Sequence, residues 1–177
     1  SGQTIMILAR ENGIHIPHLC YDRRLMPVGA CRMCLVQVEG QKSLVTACTS
    51  EVEPGMIVQT ETDEIRKIRK TILELLFYEH RAVCTTCDAA GRCKLQRYGY
   101  DYQVDEKILT AIEQGEPIDN YTNGNEAIEY DPNKCIRCGR CVRICEQIEG
   151  VTALTLKGRA ADVEVSTAFD IPLNDST

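Results

Sequence analysis

Four cysteines, Cys20, Cys31, Cys34 and Cys48, are separated by ten, two and thirteen residues, the close pair lying in Gly29-Ala30-Cys31-Arg32-Met33-Cys34. Two thiols that close in sequence must curl round a metal. Gly29 and Ala30 are small enough to let backbone amides turn toward sulfur, and such hydrogen bonds help set the potential of an iron-sulfur cluster. Four thiolates in this order suit a 2Fe-2S cluster, although the plant-type run has four residues where this chain has ten. The alternative is a structural zinc site, which favours two tight pairs where this group has one. His15 and His18 precede Cys20, and beside a complete tetrad of thiols they read as ordinary loop histidines.

A second group is compact: His80, Cys84, Cys87 and Cys93, in HRAVCTTCDAAGRC, with intervals of three, two and five residues. A histidine alone at that position would sit at a helix end and interact with its dipole. Three cysteines within ligand reach turn the reading toward ligation of a 4Fe-4S cluster, with a zinc site of one histidine and three cysteines as the rival on ligand chemistry alone. A neutral imidazole in place of a thiolate lowers the negative charge at a cluster and should raise its potential. A thioredoxin-type dithiol at Cys84-Thr85-Thr86-Cys87 would need a βαβ context, which the flanking sequence lacks.

The third group, CIRCGRCVRIC, places Cys135, Cys138, Cys141 and Cys145 at intervals of two, two and three residues and matches the bacterial ferredoxin run for 4Fe-4S clusters. Glu146 stands where proline usually follows. In two-cluster ferredoxins the first three cysteines serve one cluster and the fourth the other. Either Cys145 bends back to complete the local cluster, or it serves a neighbouring one. Its place on a helix, pointing away from the first three, favours the second.

Composition agrees with thiols as ligands. Eleven cysteines in 177 residues is an odd number, and the chain has no secretory n-region or h-region, which argues against a disulfide framework. Reduced thiols at this density belong to a reducing compartment, so a cytoplasmic location is expected. Aromatic residues make up 5% with no Trp, so several small cores stapled by metal groups are expected rather than one large core. No apolar run is long enough to cross a bilayer. A net charge of -6 disfavours nucleic acid as a partner. The cluster Arg66, Lys67, Arg69 and Lys70 reads as a solvated helix face.

The elements that must hold these groups follow from periodicity. Thr4 to Asn12 reads as a short helix with Ile5, Leu8 and Ala9 on one face. Leu35–Glu39 and Ser43–Thr46 flank Gly40 as a hairpin, and Met56–Thr60 follows the Pro54-Gly55 turn as a strand. Asp63 to His80 carries a helical stripe of Ile65, Ile68, Ile72, Leu75 and Leu76, with Thr62 or Asp63 as N-cap. Helical segments are expected over Lys94–Tyr102 and Asp105–Gln114, a linker over Gly115–Asn125, a helix over Gly139–Ile148, and strands over Ala153–Leu156 and Val163–Thr167. Pro172–Thr177 carries no element signal. The fold class is α+β, in three domains: 1–62, 63–127 with its linker, and 128–177.

Taken in order, the three groups resemble the iron-sulfur N-terminal region shared by the large iron-sulfur subunit of complex I, NAD-reducing hydrogenases, NAD(P)-linked formate dehydrogenases and FeFe-hydrogenase large subunits. GACRMCLVQVEG, CTTCDAAGRCKLQ, DPNKCIRCGRCVRIC and STAFDIPL look most like the large subunit of multimeric, NAD-linked FeFe-hydrogenases. The resemblance implies a 2Fe-2S ferredoxin-like β-grasp, a small helical 4Fe-4S domain with one histidine and three cysteine ligands, and an incomplete bacterial-ferredoxin-like 4Fe-4S domain. It implies a strand hairpin before the segment matching Ser1 and a second cysteine run after that matching Thr177. It also implies redox partners: a flavin/NAD(P)-binding iron-sulfur subunit and a hydrogen- or formate-converting domain.

These residues therefore point to a row of one-electron centres that relays electrons. No Gly-rich dinucleotide fingerprint, phosphate loop or nucleophile with its base is present in the sequence, so no catalytic residue is assigned. The rival from another class is a zinc-stabilised interaction module.

Overall fold

The computed structural model describes residues 2–80, 84–105, 108, 128, 130–159 and 162–176. The expected linker, and all of the Asp105–Gln114 segment but Asp105 and Ile108, lie outside the described residues.

Helix α1, Ile5–Glu11, opens on Thr4, whose hydroxyl accepts from the Ile7 amide at 3.4 Å. A cap of this kind is worth about 1 kcal/mol. Its buried face is Ile5, Met6 and Ala9, while Leu8 is exposed, so the helix is rotated from the expected Ile5, Leu8, Ala9 face. That face packs on a three-stranded antiparallel sheet of order β2-β1-β3, formed by β1 (Leu35–Val38), β2 (Val45–Thr46) and β3 (Val58–Gln59). Val36 faces Val45 and Val38 faces Val58, so the inward side of β1 alternates as a half-buried strand must. The core beneath contains Ile5, Met6, Ala9, Ile16, Val36 and Val38, and also Cys34 and Cys48.

Helix α2, Asp63–Glu79, is capped by the Thr62 hydroxyl, which accepts from the Ile65 amide at 3.2 Å; Asp63 and Glu64 favour its positive end. Its buried residues recur every four positions: Ile65, Arg69, Leu73 and Phe77. The expected stripe is thus displaced, Leu75 being exposed and an arginine lying in the core.

Helix α3, Lys94–Asp101, packs on α2 through Leu95 and Tyr98. The second core joins these helices to Leu19 and Met33 from the loops of the first cysteine group. The first and second thirds of the chain therefore share apolar packing, and the cluster loops are clamped between them.

A 3-10 turn, Pro132–Lys134, leads into the third group, and α4, Arg140–Gln147, follows Gly139. Helix α4 packs on an antiparallel hairpin of β4 (Leu154–Lys157) and β5 (Glu164–Thr167). Leu173–Asp175 forms a further 3-10 turn where no element was expected.

Candidate metal centres

All eleven cysteines are free thiols. In the first group they stand in two pairs. The Cys34 thiol donates to the Cys48 sulfur at 3.5 Å, while the amides of Leu19 and Cys20 donate to the Cys31 sulfur and the Cys31 amide donates to the Cys20 sulfur, each at 3.5 Å. Within each pair the two thiols shift in opposite directions. The bond to Cys31 pushes the Cys20 thiol up, and the same bond brings Cys31 down to about 5. Likewise the bond to Cys48 pushes Cys34 up and lowers Cys48. The amides of Ala30, Met33 and Gly29 support the sulfurs of Cys20, Cys31 and Cys48 respectively.

This donor set fits a 2Fe-2S cluster, in which two sulfurs serve each iron and backbone N–H groups stabilise the anionic sulfurs. Among the described residues no three His, Cys, Asp or Glu side chains converge as a single ion requires. The first group is two by two rather than fourfold.

The turn that produces this arrangement stores backbone strain. Arg32, between Cys31 and Cys34, has φ +57°, and Arg137, between Cys135 and Cys138, has φ +53°. Non-glycine residues rarely adopt this left-handed region. At both places it wraps the chain round sulfur, and the Arg137 amide donates to the Cys135 sulfur at 3.3 Å.

His80 ends α2 with extended backbone. With Cys84, Cys87 and Cys93 it lines a cavity of about 310 Å³, walled by Phe77, Leu95 and Ile136. Burial, followed by the nearby sulfurs of Cys93 and Cys87, pushes the Cys84 thiol up. The second group is thus gathered round one space, whose lining combines these apolar residues with Asp88, Arg92, Lys134 and Arg140.

In the third group, burial raises the Cys141 thiol, and the sulfurs of Cys138 and Cys135 add to it. Arg140 Nε donates to the Cys138 sulfur at 3.4 Å. Cys145 faces elsewhere: its thiol donates to the Val151 carbonyl at 2.8 Å. Tyr130, which no motif singles out, has its hydroxyl against Cys135 while accepting from the Val165 amide at 3.3 Å. Burial pushes that phenol upward, followed by the bond to Cys135.

The two histidines before Cys20 have local partners. His18 Nδ1 lies 2.9 Å from the Ile16 carbonyl and its Nε2 lies 3.0 Å from Lys94 Nζ. His15 Nε2 lies 3.4 Å from the Tyr98 hydroxyl.

The three groups meet. A cavity of about 180 Å³ is lined by Cys31 of the first, His80 of the second, and Cys135 and Cys138 of the third, with Leu19, Leu76 and Ile136 between them. Ion pairs hold the joint from outside: Arg137 with Glu79, and Lys134 with Asp88 at 3.2 Å.

Three family models match the chain: a 2Fe-2S iron-sulfur cluster binding domain over residues 1–63, the NADH-ubiquinone oxidoreductase-G iron-sulfur binding region over 69–107, and the ferredoxin-like domain of NADH-quinone oxidoreductase subunit 3 over 124–176. The NADPH-Fe(3+) oxidoreductase subunit alpha of Geobacter sulfurreducens is 35% identical over 171 residues, which cover 97% of this chain and 20% of that protein. The mitochondrial NADH-ubiquinone oxidoreductase 78 kDa subunit of Candida albicans is 32% identical over 174 residues, 98% of this chain and 24% of that protein. The chain thus spans a fifth to a quarter of the length of these curated relatives. Among solved structures, an NAD+-reducing NiFe-hydrogenase in the H2-reduced state superposes with a TM-score of 0.81 at 30% identity, covering 99% of this chain and 73% of that one.

Proposed function

Since this chain belongs to the iron-sulfur family of the NADH-quinone oxidoreductase G (75 kDa) subunits and the NAD+-reducing hydrogenases, and so takes a 2Fe-2S cluster and 4Fe-4S clusters to relay electrons, we propose the ligands and the parent enzyme as follows. Cys20, Cys31, Cys34 and Cys48 hold the 2Fe-2S cluster. His80, Cys84, Cys87 and Cys93 hold a 4Fe-4S cluster. Cys135, Cys138 and Cys141 hold another, while Cys145 serves a neighbouring cluster. The clusters supply one-electron redox chemistry; the chain supplies thiolates and amide donors.

The observation that carries this reading is the cavity bordered by Cys31, His80, Cys135 and Cys138. Ligand candidates of all three groups facing one small space put successive electron carriers side by side, which a relay needs and a zinc-stapled scaffold does not. Among the described residues no helix is long and apolar enough to cross a membrane. We place the chain in the cytoplasm, as the relay of a multisubunit NAD(P)-linked FeFe-hydrogenase, working with a flavin/NAD(P)-binding subunit and a hydrogen-converting domain. The segments GACRMCLVQVEG and STAFDIPL support that parent. A complex I-type NADH dehydrogenase is the second reading, supported by the 32% identical NADH-ubiquinone oxidoreductase subunit, and an NAD(P)-linked formate dehydrogenase is a third.

The test is anaerobic purification of the full-length protein, with iron, sulfide and zinc analysis and EPR before and after dithionite. Brown protein with cluster signals on reduction is expected. A colourless protein containing zinc would overturn the relay. Bleaching of the visible absorption under hydrogen, NADH or formate then separates the parents.

A further inference from the structure

A second hollow, of about 470 Å³, lies apart from the cysteine sulfurs and has an unusual charge. Its lining includes Arg10, Arg23, Arg24, Lys94 and Arg140, together with His15 and His18, in a chain whose net charge is -6. One carboxylate, Asp22, lines it, and Arg24 already occupies both its oxygens at 3.0 and 3.1 Å. Arg10 and Arg23 are exposed at the rim. Four arginines and a lysine lining one concave surface, with one carboxylate among them, create a positive potential that concave walls focus.

The hollow has a particular place. His18, Tyr21 and Asp22 flank Cys20; Lys94 follows Cys93; Arg140 lies between Cys138 and Cys141. Its wall is therefore built from residues that neighbour all three cysteine groups. Whatever binds there touches chain segments that carry ligand candidates of all three groups.

We propose that this hollow is the docking socket for an acidic segment of a redox-partner subunit, whose Asp and Glu side chains pair with Arg10, Arg23 and Lys94. This rests on the relay reading, since a relay exchanges electrons with an outside partner and gains from holding it near its centres. Charge complementarity of this kind steers association and fixes orientation, and it weakens as salt screens it.

The experiment uses the full-length, cluster-loaded protein and a fluorescent oligoglutamate peptide, with anisotropy read at low and high ionic strength. The wild type binds at low salt and releases at high salt. Arg10→Glu combined with Arg23→Glu weakens binding by about tenfold or more, whereas Lys42→Glu combined with Lys67→Glu, an equal change of net charge on exposed residues elsewhere, leaves it within about twofold. Failure of the wild type to bind, or equal loss in both variants, overturns the socket. Inorganic pyrophosphate that displaces the peptide and binds more tightly also overturns it, in favour of a phosphate ligand. EPR on the same samples separates the two readings: absent cluster signals sink the relay, while lost peptide binding with signals intact sinks the socket alone.

Discussion

The guanidinium of Arg143, midway between Cys141 and Cys145 on α4, donates to the backbone carbonyl of Cys20, and at 2.9 Å to that of Met26. It is 8% exposed, its Nε lacks an acceptor, and among the described residues no carboxylate pairs with it. A buried cation with carbonyl partners alone favours any nearby centre that gains negative charge. Arg143→Met is therefore expected to lower the reduction potential of the 2Fe-2S cluster and to cost about 2 kcal/mol through the stranded carbonyls. Arg143→Lys restores most of the potential and less of the stability. EPR-monitored redox titration with thermal denaturation checks both, and an unchanged potential in the Met variant removes the electrostatic role.

Arg69 performs a comparable task between α2 and the first domain. It is fully buried and donates to Glu61 at 2.5 Å, the Tyr102 hydroxyl at 2.9 Å, the Leu35 carbonyl at 2.8 Å and the Thr60 carbonyl at 3.1 Å. Arg69→Ala should destabilise by about 3 kcal/mol, because it strands acceptors from three segments and opens a cavity. Lys67→Ala, on the exposed side of the same helix, should stay within about 0.5 kcal/mol. Equal midpoints in a denaturant titration of the two variants would contradict this.

His80→Cys should keep a cluster in the second group and lower its potential, because a thiolate adds a negative charge where imidazole is neutral. Cys84→Ala should lose that cluster. A redox titration without a downward shift in the His80 variant would count against His80 as a ligand.

Cys145→Ala should leave the 4Fe-4S signal of Cys135, Cys138 and Cys141 in place, since the Cys145 thiol is turned toward Val151. Loss of that signal in the variant would make Cys145 a local ligand.

Gly29 has φ +62°, and a Cβ there would lie 3.3 Å from the Thr46 hydroxyl oxygen. Its amide also supports Cys48. Gly29→Ala should cost about 1–2 kcal/mol from the left-handed backbone alone, read as a lower melting temperature of the cluster-loaded protein.

Much of the arrangement was legible in one dimension because ligand spacing and short-range periodicity are local. The cysteine intervals, the Thr62 cap and the antiparallel β1–β2 pair all depend on residues near one another. Arg69 was not legible. A run of Arg66, Lys67, Arg69 and Lys70 reads as a wet helix face, and only Leu35, Thr60 and Tyr102, brought from elsewhere, make a dry pocket of acceptors for one member. Arg143 escaped for the same reason, its partners lying more than a hundred residues away. The rotation of α1 toward Met6 was hidden because Met6 and Leu8 are equally apolar, and the contact surface alone decides between them.

In the first group Cys20, Cys34 and Cys48 are about 1% exposed, and Cys31 is half-buried. An electron arriving at such a centre finds few water dipoles free to turn in response, and the surrounding amides are already aimed at sulfur. Little rearrangement then separates the oxidised and reduced states. With the cluster held as proposed, the loops of the first group would do more than hold iron: they would lower the reorganisation that each electron must drive, so a small difference in potential would suffice to move it onward.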